Sequence, residues 1–333
     1  MWEIRRYDPR QREEWNAFIE KARNSTFLFS RHYMDYHADR FSDHSLMAYR
    51  KGKLMAVLPA NRSGNILYSH QGLTYGGWVW AHAGLDATDI FHLWRLWMEC
   101  CKAEGITKIV YKPLPYIYSE MPSGEDLYML FLTGAGIVST DISSAIDLDS
   151  NPGFDKLQRR HLKSAISEFE VATISADDGE GVGEFHRLLC RCLEERHGCA
   201  PVHSLEELRL LMDSFPEEIL IWAAINGSEE IEAAICVYNT GMCAHCQYIA
   251  TSPEGRERNA LSVVVDAMIE YYGDTGTRYF DFGISNEEGG KLLNPGLNRQ
   301  KTSYGGSGVA YQKYEINVAS ALAVLPNELW PGR

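Results

Sequence analysis

Apolar positions along the chain alternate between a strand-like and a helix-like spacing, and the order of the two recurs. His44-Ser45-Leu46-Met47-Ala48-Tyr49 runs into Arg50-Lys51-Gly52-Lys53 and returns as Leu54-Met55-Ala56-Val57-Leu58, which predicts a hairpin around a glycine turn. Ile219-Leu220-Ile221-Trp222-Ala223-Ala224-Ile225 runs into Asn226-Gly227-Ser228 and returns from Ile231 to Val237, a second hairpin of the same kind. Two helical segments precede each hairpin, at 10–22 and 30–38 in the first case and at 183–196 and 204–214 in the second. Strand, helix, strand follow each. A predicted helix at 87–103 ends before Gly105-Ile106-Thr107-Lys108, and one at 259–272 ends before Gly276-Thr277-Arg278. In the later helix Leu261, Val264, Val265, Met268, Ile269 and Tyr272 form one apolar stripe, so that helix must pack on a sheet.

Two copies of helix, helix, hairpin, strand, helix, strand predict an α/β (α+β) chain with two mixed sheets. The turn-rich stretch Asp149-Ser150-Asn151-Pro152-Gly153 sets the expected boundary, giving domains 1–150 and 151–333. A length of 333 residues agrees, because a single core rarely grows that far. With 45% hydrophobic and 23% charged residues the composition is that of a folded soluble protein. No run of about 18 apolar residues occurs, and Met1-Trp2-Glu3-Ile4-Arg5-Arg6 opens no apolar signal core. The expectation is a cytoplasmic chain without stable membrane insertion. A formal net charge of −13 argues against DNA as a partner, since phosphate-backbone affinity rests on Lys and Arg. The eight cysteines read as reduced core thiols. Cys243-Ala244-His245-Cys246 has the spacing of a zinc knuckle, but it falls in a predicted strand, where residues three apart face opposite sides, and no metal is expected.

The order of elements, with a loop leading into a helix after the fourth strand, resembles the GNAT acyl-CoA N-acyltransferase fold. The duplication is similar to the tandem GNAT-like domains of the Fem-type peptidyltransferases and of a related BioF2-like acetyltransferase group. Three stretches carry the resemblance: Leu157-Gln158-Arg159-Arg160-His161-Leu162-Lys163, Arg256-Glu257-Arg258-Asn259-Ala260-Leu261, and Phe280-Asp281-Phe282-Gly283 followed by Gly296-Leu297-Asn298-Arg299-Gln300-Lys301-Thr302-Ser303-Tyr304-Gly305. The resemblance implies two GNAT-like domains, each a mixed, mostly antiparallel sheet flanked by helices. It implies an acyl-donor site in 151–333 and an acceptor-side or structural role for 1–150. The implied activity is transfer of an acyl group from acyl-CoA to an amine on a small-molecule acceptor, such as a cell-envelope or polysaccharide precursor, without metal. A Fem-like aminoacyl-tRNA-dependent peptidyltransferase and a non-catalytic GNAT-like binding module are the alternatives, tRNA being a partner only under the former.

The candidate residues follow. The helix start at 254–261 would offer exposed N–H groups and a positive dipole end to a pyrophosphate, with Arg256, Arg258, Asn259 and Ala260 as donor-binding residues. The GNAT loop carries small residues where Asn259 and Leu261 stand here, and Asn tolerates the left-handed backbone such a turn needs. Lys301 is expected to hold a substrate oxygen or polarise the acyl carbonyl. Tyr304 could protonate the departing thiolate, and Asp281 could orient the amine or accept its proton, with Glu287 or Glu288 as substitutes. Arg159, Arg160 and Lys163 form a basic helix face suited to an anionic substrate or simply to solvent. His70 and Tyr75, in the Gly-rich loop Ser69–Gly77, could wall an acceptor site or merely complete a turn.

Overall fold

The computed structural model describes residues 1–326. By compactness the chain forms two units, one of Met1–Asp141, Glu288–Lys291 and the chain from Ala310 onward, the other of Ile142–Glu287 and Leu292–Val309. Set beside the expected boundary near residue 150, the division falls at Asp141/Ile142, and the C-terminal stretch returns to the first unit. Two of these crossings lie inside the strands Gly136–Asp147 and Ser307–Asn317, where no turn signal marks them.

In chain order the first unit holds β1 (Trp2–Arg6), α1 (Arg12–Ile19), α2 (Arg31–Met34), β2 (Leu46–Arg50), β3 (Lys53–Leu58), β4 (Asn61–Ser63), β5 (Ile66–Tyr68), β6 (Val79–Trp80), α3 (Ala87–Ala103), β7 (Lys108–Tyr111), α4 (Glu125–Leu132) and the start of β8 (Gly136–Asp147). The predicted hairpin is β2–β3, and its turn residues Lys51 and Gly52 take φ of 51° and 77°, the left-handed backbone that a twisted two-residue connection requires. β1 and β6 complete that sheet, whereas β5 pairs in parallel with β7 through Ile66–Tyr68 on Lys108–Val110. Asp86 and Asp89 form a reciprocal cap at the start of α3, which buries Trp94 and Trp97 against Trp78, Trp80 and Tyr111.

Tyr111 is fully buried; its Oη accepts from the Trp78 N–H at 2.8 Å and donates to Asp126 Oδ2 at 3.0 Å. Burial pushes the Asp126 carboxyl up to about 7, because a charge there has lost its water. A carboxyl raised in the folded state favours the fold fully below its unfolded value near 4 and withdraws that support as pH rises through about 7. Asp126→Asn removes the dependence. In urea titrations the variant should gain on the wild type by a few kcal/mol, on the order of the linkage for a shift of this size, between pH 5 and pH 8.5. Parallel wild-type and variant curves across that range would contradict this.

The second unit continues with α5 (Lys156–Ala165), β9 (Glu170–Ile174), α6 (Gly179–His197), α7 (Leu205–Ser214), β10 (Ile219–Ile225), β11 (Ile231–Asn239), β12 (Cys243–Thr251), α8 (Pro253–Glu257), α9 (Ala260–Asp274), β13 (Tyr279–Ile284), β14 (Asn286–Glu287), β15 (Leu292–Leu293), α10 (Pro295–Ser303) and the first residues of β16 (Ser307–Asn317); α11 (Val318–Val324) belongs to the first unit. Its sheet runs from the Ser143–Asp147 part of β8 through β13, β12, β11 and β10 to β9. All neighbours are antiparallel except β12 and β13, which pair in parallel through Cys243–His245 on Tyr279–Asp281. The first unit carries the same three-residue parallel pairing between β5 and β7, so the sequence repeat extends to strand register. α9 lays Val264, Val265, Met268 and Tyr272 on the sheet, and Leu261 and Ile269 flank that core half-buried.

Candidate active site

Pairing between β12 and β13 ends at His245 and Asp281, although β12 continues to Thr251 and β13 to Ile284. Two local features spread the strands. A bulge places Gln247 between the residues opposite Cys236 and Val237, which increases the twist of β12. On β13, Gly283 turns the backbone at φ 77°. A wedge opens between the strand ends, walled by main chain that no longer pairs across it.

The corresponding place in the first unit is closed. Past β5 and β7, Ser69 donates its N–H to the Val110 carbonyl at 2.9 Å, Lys112 donates its N–H to Ser69 Oγ at 2.8 Å, and the Gly76 N–H reaches the Lys112 carbonyl at 2.8 Å. The glycines are needed for that closure: a Cβ on Gly76 would lie 1.9 Å from the Ser69 carbonyl oxygen, and one on Gly77 would lie 2.5 Å from Tyr111 Oη. His70, at φ 66°, and Tyr75 are both buried in this loop, Tyr75 between the rings of Phe29 and Tyr118.

At the apex of the open wedge the structure gathers ionisable groups from distant parts of the sequence. Asp281 has no solvent exposure. Its Oδ1 accepts from Ser143 Oγ at 2.5 Å, and its Oδ2 accepts from His245 Nδ1 at 2.7 Å. The His245 side chain is 13% exposed, so the ring is the part of this chain that reaches solvent. Lys301, buried on α10, donates to the carbonyls of Gly283 at 2.8 Å and Ile284 at 2.6 Å. Two of its three N–H bonds are thereby used, and the ammonium pins the end of β13. Burial pushes Lys301 down to about 8, opposed by the negative Asp281 nearby. Burial also raises the Cys246 thiol, which is thereby an inert core group. Among the described residues no group of three His, Cys, Asp or Glu side chains is arranged to hold a metal ion.

Beyond Ile284 lies a cleft of roughly 840 Å³, lined among others by Arg196, Ser285, Asn286, Glu287, Asn294 and Gln300. Ser285 Oγ is buried there without a hydrogen-bond partner among the described residues.

The donor-loop residues sit where α8 meets α9. Asn259 adopts φ 61° and ψ 33°, a left-handed conformation that Asn tolerates, and sends the chain into α9. The first N–H groups of that helix, those of Ala260 and Leu261, have no partner within the helix by construction. Arg256 donates to the Thr251 carbonyl at 2.8 Å, and Arg258 pairs with Glu168 at 2.7 Å while covering the Phe169 ring. Both guanidiniums therefore carry protein partners that a phosphate would have to displace. Tyr304 is buried against Phe154 and Phe282 with its Oη 3.3 Å from Ser262 Oγ, and burial raises its pKa. That places it on the α9 side of the sheet, its ring among apolar neighbours and its hydroxyl beside Ser262. Arg159, Arg160 and Lys163 are exposed on α5, and Glu287, at the end of β14, and Glu288, just after it, are exposed.

The structure thus joins Lys301 to Asp281 and adds Ser143, His245 and Arg196, which sequence reasoning did not select. Their only advance signal was His245 in the Cys243–Cys246 spacing. Its partner lies directly across the β12–β13 register, 36 positions away in sequence.

Residues 156–288 match a family model described as an acetyltransferase (GNAT) domain. No curated protein matches the sequence. Among solved structures the chain is similar to FemX, with 14% identity, 97% of this chain and 100% of that one covered, and a TM-score of 0.68. It is similar to L-PGS from Bacillus licheniformis at 12% identity, covering 96% and 97% with a TM-score of 0.61. A tandem GNAT protein from the clavulanic acid biosynthesis pathway matches at 13% identity, covering 96% and 99% with a TM-score of 0.51. These likenesses give the fold, a tandem GNAT-like α/β architecture. The domain match adds that residues 156–288 are those of a GNAT acetyltransferase domain model.

Proposed function

We propose that the chain is an N-acyltransferase that moves an acyl group from acyl-CoA to an amine, with donor and chemistry both in the second unit. The observation that carries this is the wedge between β12 and β13 with Lys301, Asp281 and His245 at its apex, set against the closed counterpart in the first unit. In this reading the thioester lies in the wedge, and the pyrophosphate meets the α9 N–H groups with Arg256 and Arg258 exchanging their present partners for it. The amine attacks the thioester carbonyl, the carbon–sulfur bond breaks, and the amine proton passes to the His245 ring that Asp281 holds. The third N–H of Lys301 faces the oxygen on which charge develops. Tyr304, whose hydroxyl is buried beside Ser262 and whose pKa burial raises, is a less suitable proton donor to the thiolate than solvent.

The cleft beyond Ile284 supports an acceptor that is polar and carries an anionic group for Arg196, as a cell-envelope or polysaccharide precursor would. The first unit then has an acceptor-side or structural role.

Isothermal titration with CoA and acetyl-CoA tests the donor assignment. We expect binding that Arg258→Ala weakens about tenfold, ~1.4 kcal/mol, a modest loss because Glu168 already competes for the guanidinium. Absence of CoA binding, with salt-sensitive binding of aminoacyl-tRNA in its place, would move the donor to the Fem-like alternative. Absence of both would leave a binding module.

A further inference from the structure

β7 and β16 put two lysines face to face in the first unit. The strands pair antiparallel through Lys108–Tyr111 on Asn317–Tyr314, and one step further along the same register Lys112 stands opposite Lys313. Residues directly opposite in an antiparallel pair point to the same side of the sheet, and alternation adds Tyr311 and Glu315 of β16 to that side. Burial first, and then the charge of Lys313, push Lys112 down to about 8, so the two ammoniums act on one another. Both lysines are half-buried, yet neither has an acidic partner among the described residues. Glu315, two positions from Lys313, is committed to Lys108 at 3.1 Å. Lys112 Nζ donates to the Leu73 carbonyl, and Tyr118, whose hydroxyl meets that of Tyr311 at 2.6 Å, packs its ring on Tyr75 of the same loop. The loop Ser69–Gly77 and Tyr118 thus lie over the Lys112 and Tyr311 end of this face.

We infer that Lys112 and Lys313 hold the phosphate group of a small molecule, in a site of the first unit that is independent of the chemistry proposed for the second. Like charges directly opposite each other weaken a strand pair, and a half-buried charge without a counter-ion costs more than an exposed one. The arrangement is relieved when something outside the chain supplies the negative charge. Phosphate fits by charge: near pH 8 it is a dianion and matches two ammoniums, each a point charge that donates to a phosphate oxygen, whereas a carboxylate would leave one cation over. A nucleic acid is disfavoured, because one lysine pair in a chain of net charge −13 gives little of the backbone affinity that such a partner needs.

Pyridoxal 5′-phosphate followed by borohydride, applied to the full chain, tests this. The aldehyde condenses with a neutral lysine nitrogen, water leaves, and borohydride reduces the imine to a secondary amine that mass spectrometry locates. With its phosphate on Lys313, the reagent should label Lys112 well ahead of the exposed Lys51 and Lys53, because at pH 8 about half of Lys112 is neutral. Inorganic phosphate at about 20 mM, with ionic strength held constant, should slow that labelling roughly fivefold or more by mass action. Acetate at the same ionic strength should not. In Lys313→Met the protection by phosphate should be lost, while the thermal midpoint in phosphate-free buffer should hold or rise, since a like-charged neighbour of Lys112 has gone. The inference is overturned if Lys112 labels no faster than Lys51 and Lys53, if phosphate gives no protection, or if the protection survives Lys313→Met. Equal protection by acetate would also overturn it and assign the pair to a carboxylate.

Discussion

Lys301→Met should lower the rate of acyl transfer by about 10²–10³-fold at pH 7.5, the loss seen when one preorganised donor to a developing oxyanion is removed. Methionine keeps the length of the stem and its packing on α10. It strips the donors from the Gly283 and Ile284 carbonyls, so some stability will go as well, ~1–3 kcal/mol if those oxygens stay dry. CoA affinity separates the two effects, because a structural role alone would loosen the wedge and weaken donor binding along with turnover. The wild-type pH profile carries a second test. Burial depresses Lys301 to about 8, so the ammonium is lost as pH rises through that value, and the rate should fall on the alkaline side with an apparent pKa near 8. The sign for stability is opposite. A lysine depressed in the fold disfavours folding while it is charged, and this cost is relieved between about 8 and the unfolded value near 10.4. Activity that falls above pH 8 while the urea midpoint does not would tie the limb to chemistry. A Lys301→Met enzyme within threefold of wild type would remove Lys301 from the reaction.

Much of this architecture is legible in the sequence because it rests on local rules. The hairpins, the apolar stripe of α9 and the helix at 87–103 follow from side-chain periodicity, which adjacent residues determine. Asn259 is legible for the same reason, since a left-handed residue before a helix start restricts the choice to a few types. The division at Asp141 is not, because a strand that passes from one compact unit to the next keeps its alternation throughout. The cluster proposed as catalytic is least legible. Ser143 on β8, His245 on β12 and Asp281 on β13 meet only because three strands lie side by side in one register, and register is a property of the assembled sheet. Arg256 and Arg258 show the converse: their charge marked them as donor ligands, while Glu168, in the segment before β9, holds Arg258 from a place no local pattern connects to it.

Asp281 and His245 together should account for the largest effect. Asp281 has no exposure, so it cannot touch an acceptor amine; it can act only by fixing His245 through Nδ1 and by stabilising the ring once it is protonated. This arrangement of a buried carboxylate behind an imidazole is what a proton acceptor needs, and it commits Nδ1 to the carboxylate. His245→Ala should therefore lower kcat by about 10²–10⁴-fold, the range for loss of a positioned general base, without weakening CoA. Exogenous imidazole should recover part of the loss in His245→Ala but none in Lys301→Met. Asp281→Asn keeps the shape and the bond from Ser143 Oγ while removing the charge, and should approach the His245→Ala rate with the histidine still in place. Ser143→Ala, which deletes one donor to Asp281 Oδ1 and leaves the Gly283 N–H on that oxygen, should cost far less, about tenfold. Nitrogen-15 spectra of labelled histidine give a reading independent of turnover, with His245 protonated at Nδ1 in the wild type and redistributed between its two nitrogens in Asp281→Asn. If His245→Ala retains the wild-type rate, the proton leaves by another path, and Asp281 reverts to a residue that closes the end of β13 through the Gly283 N–H, 3.2 Å from its Oδ1.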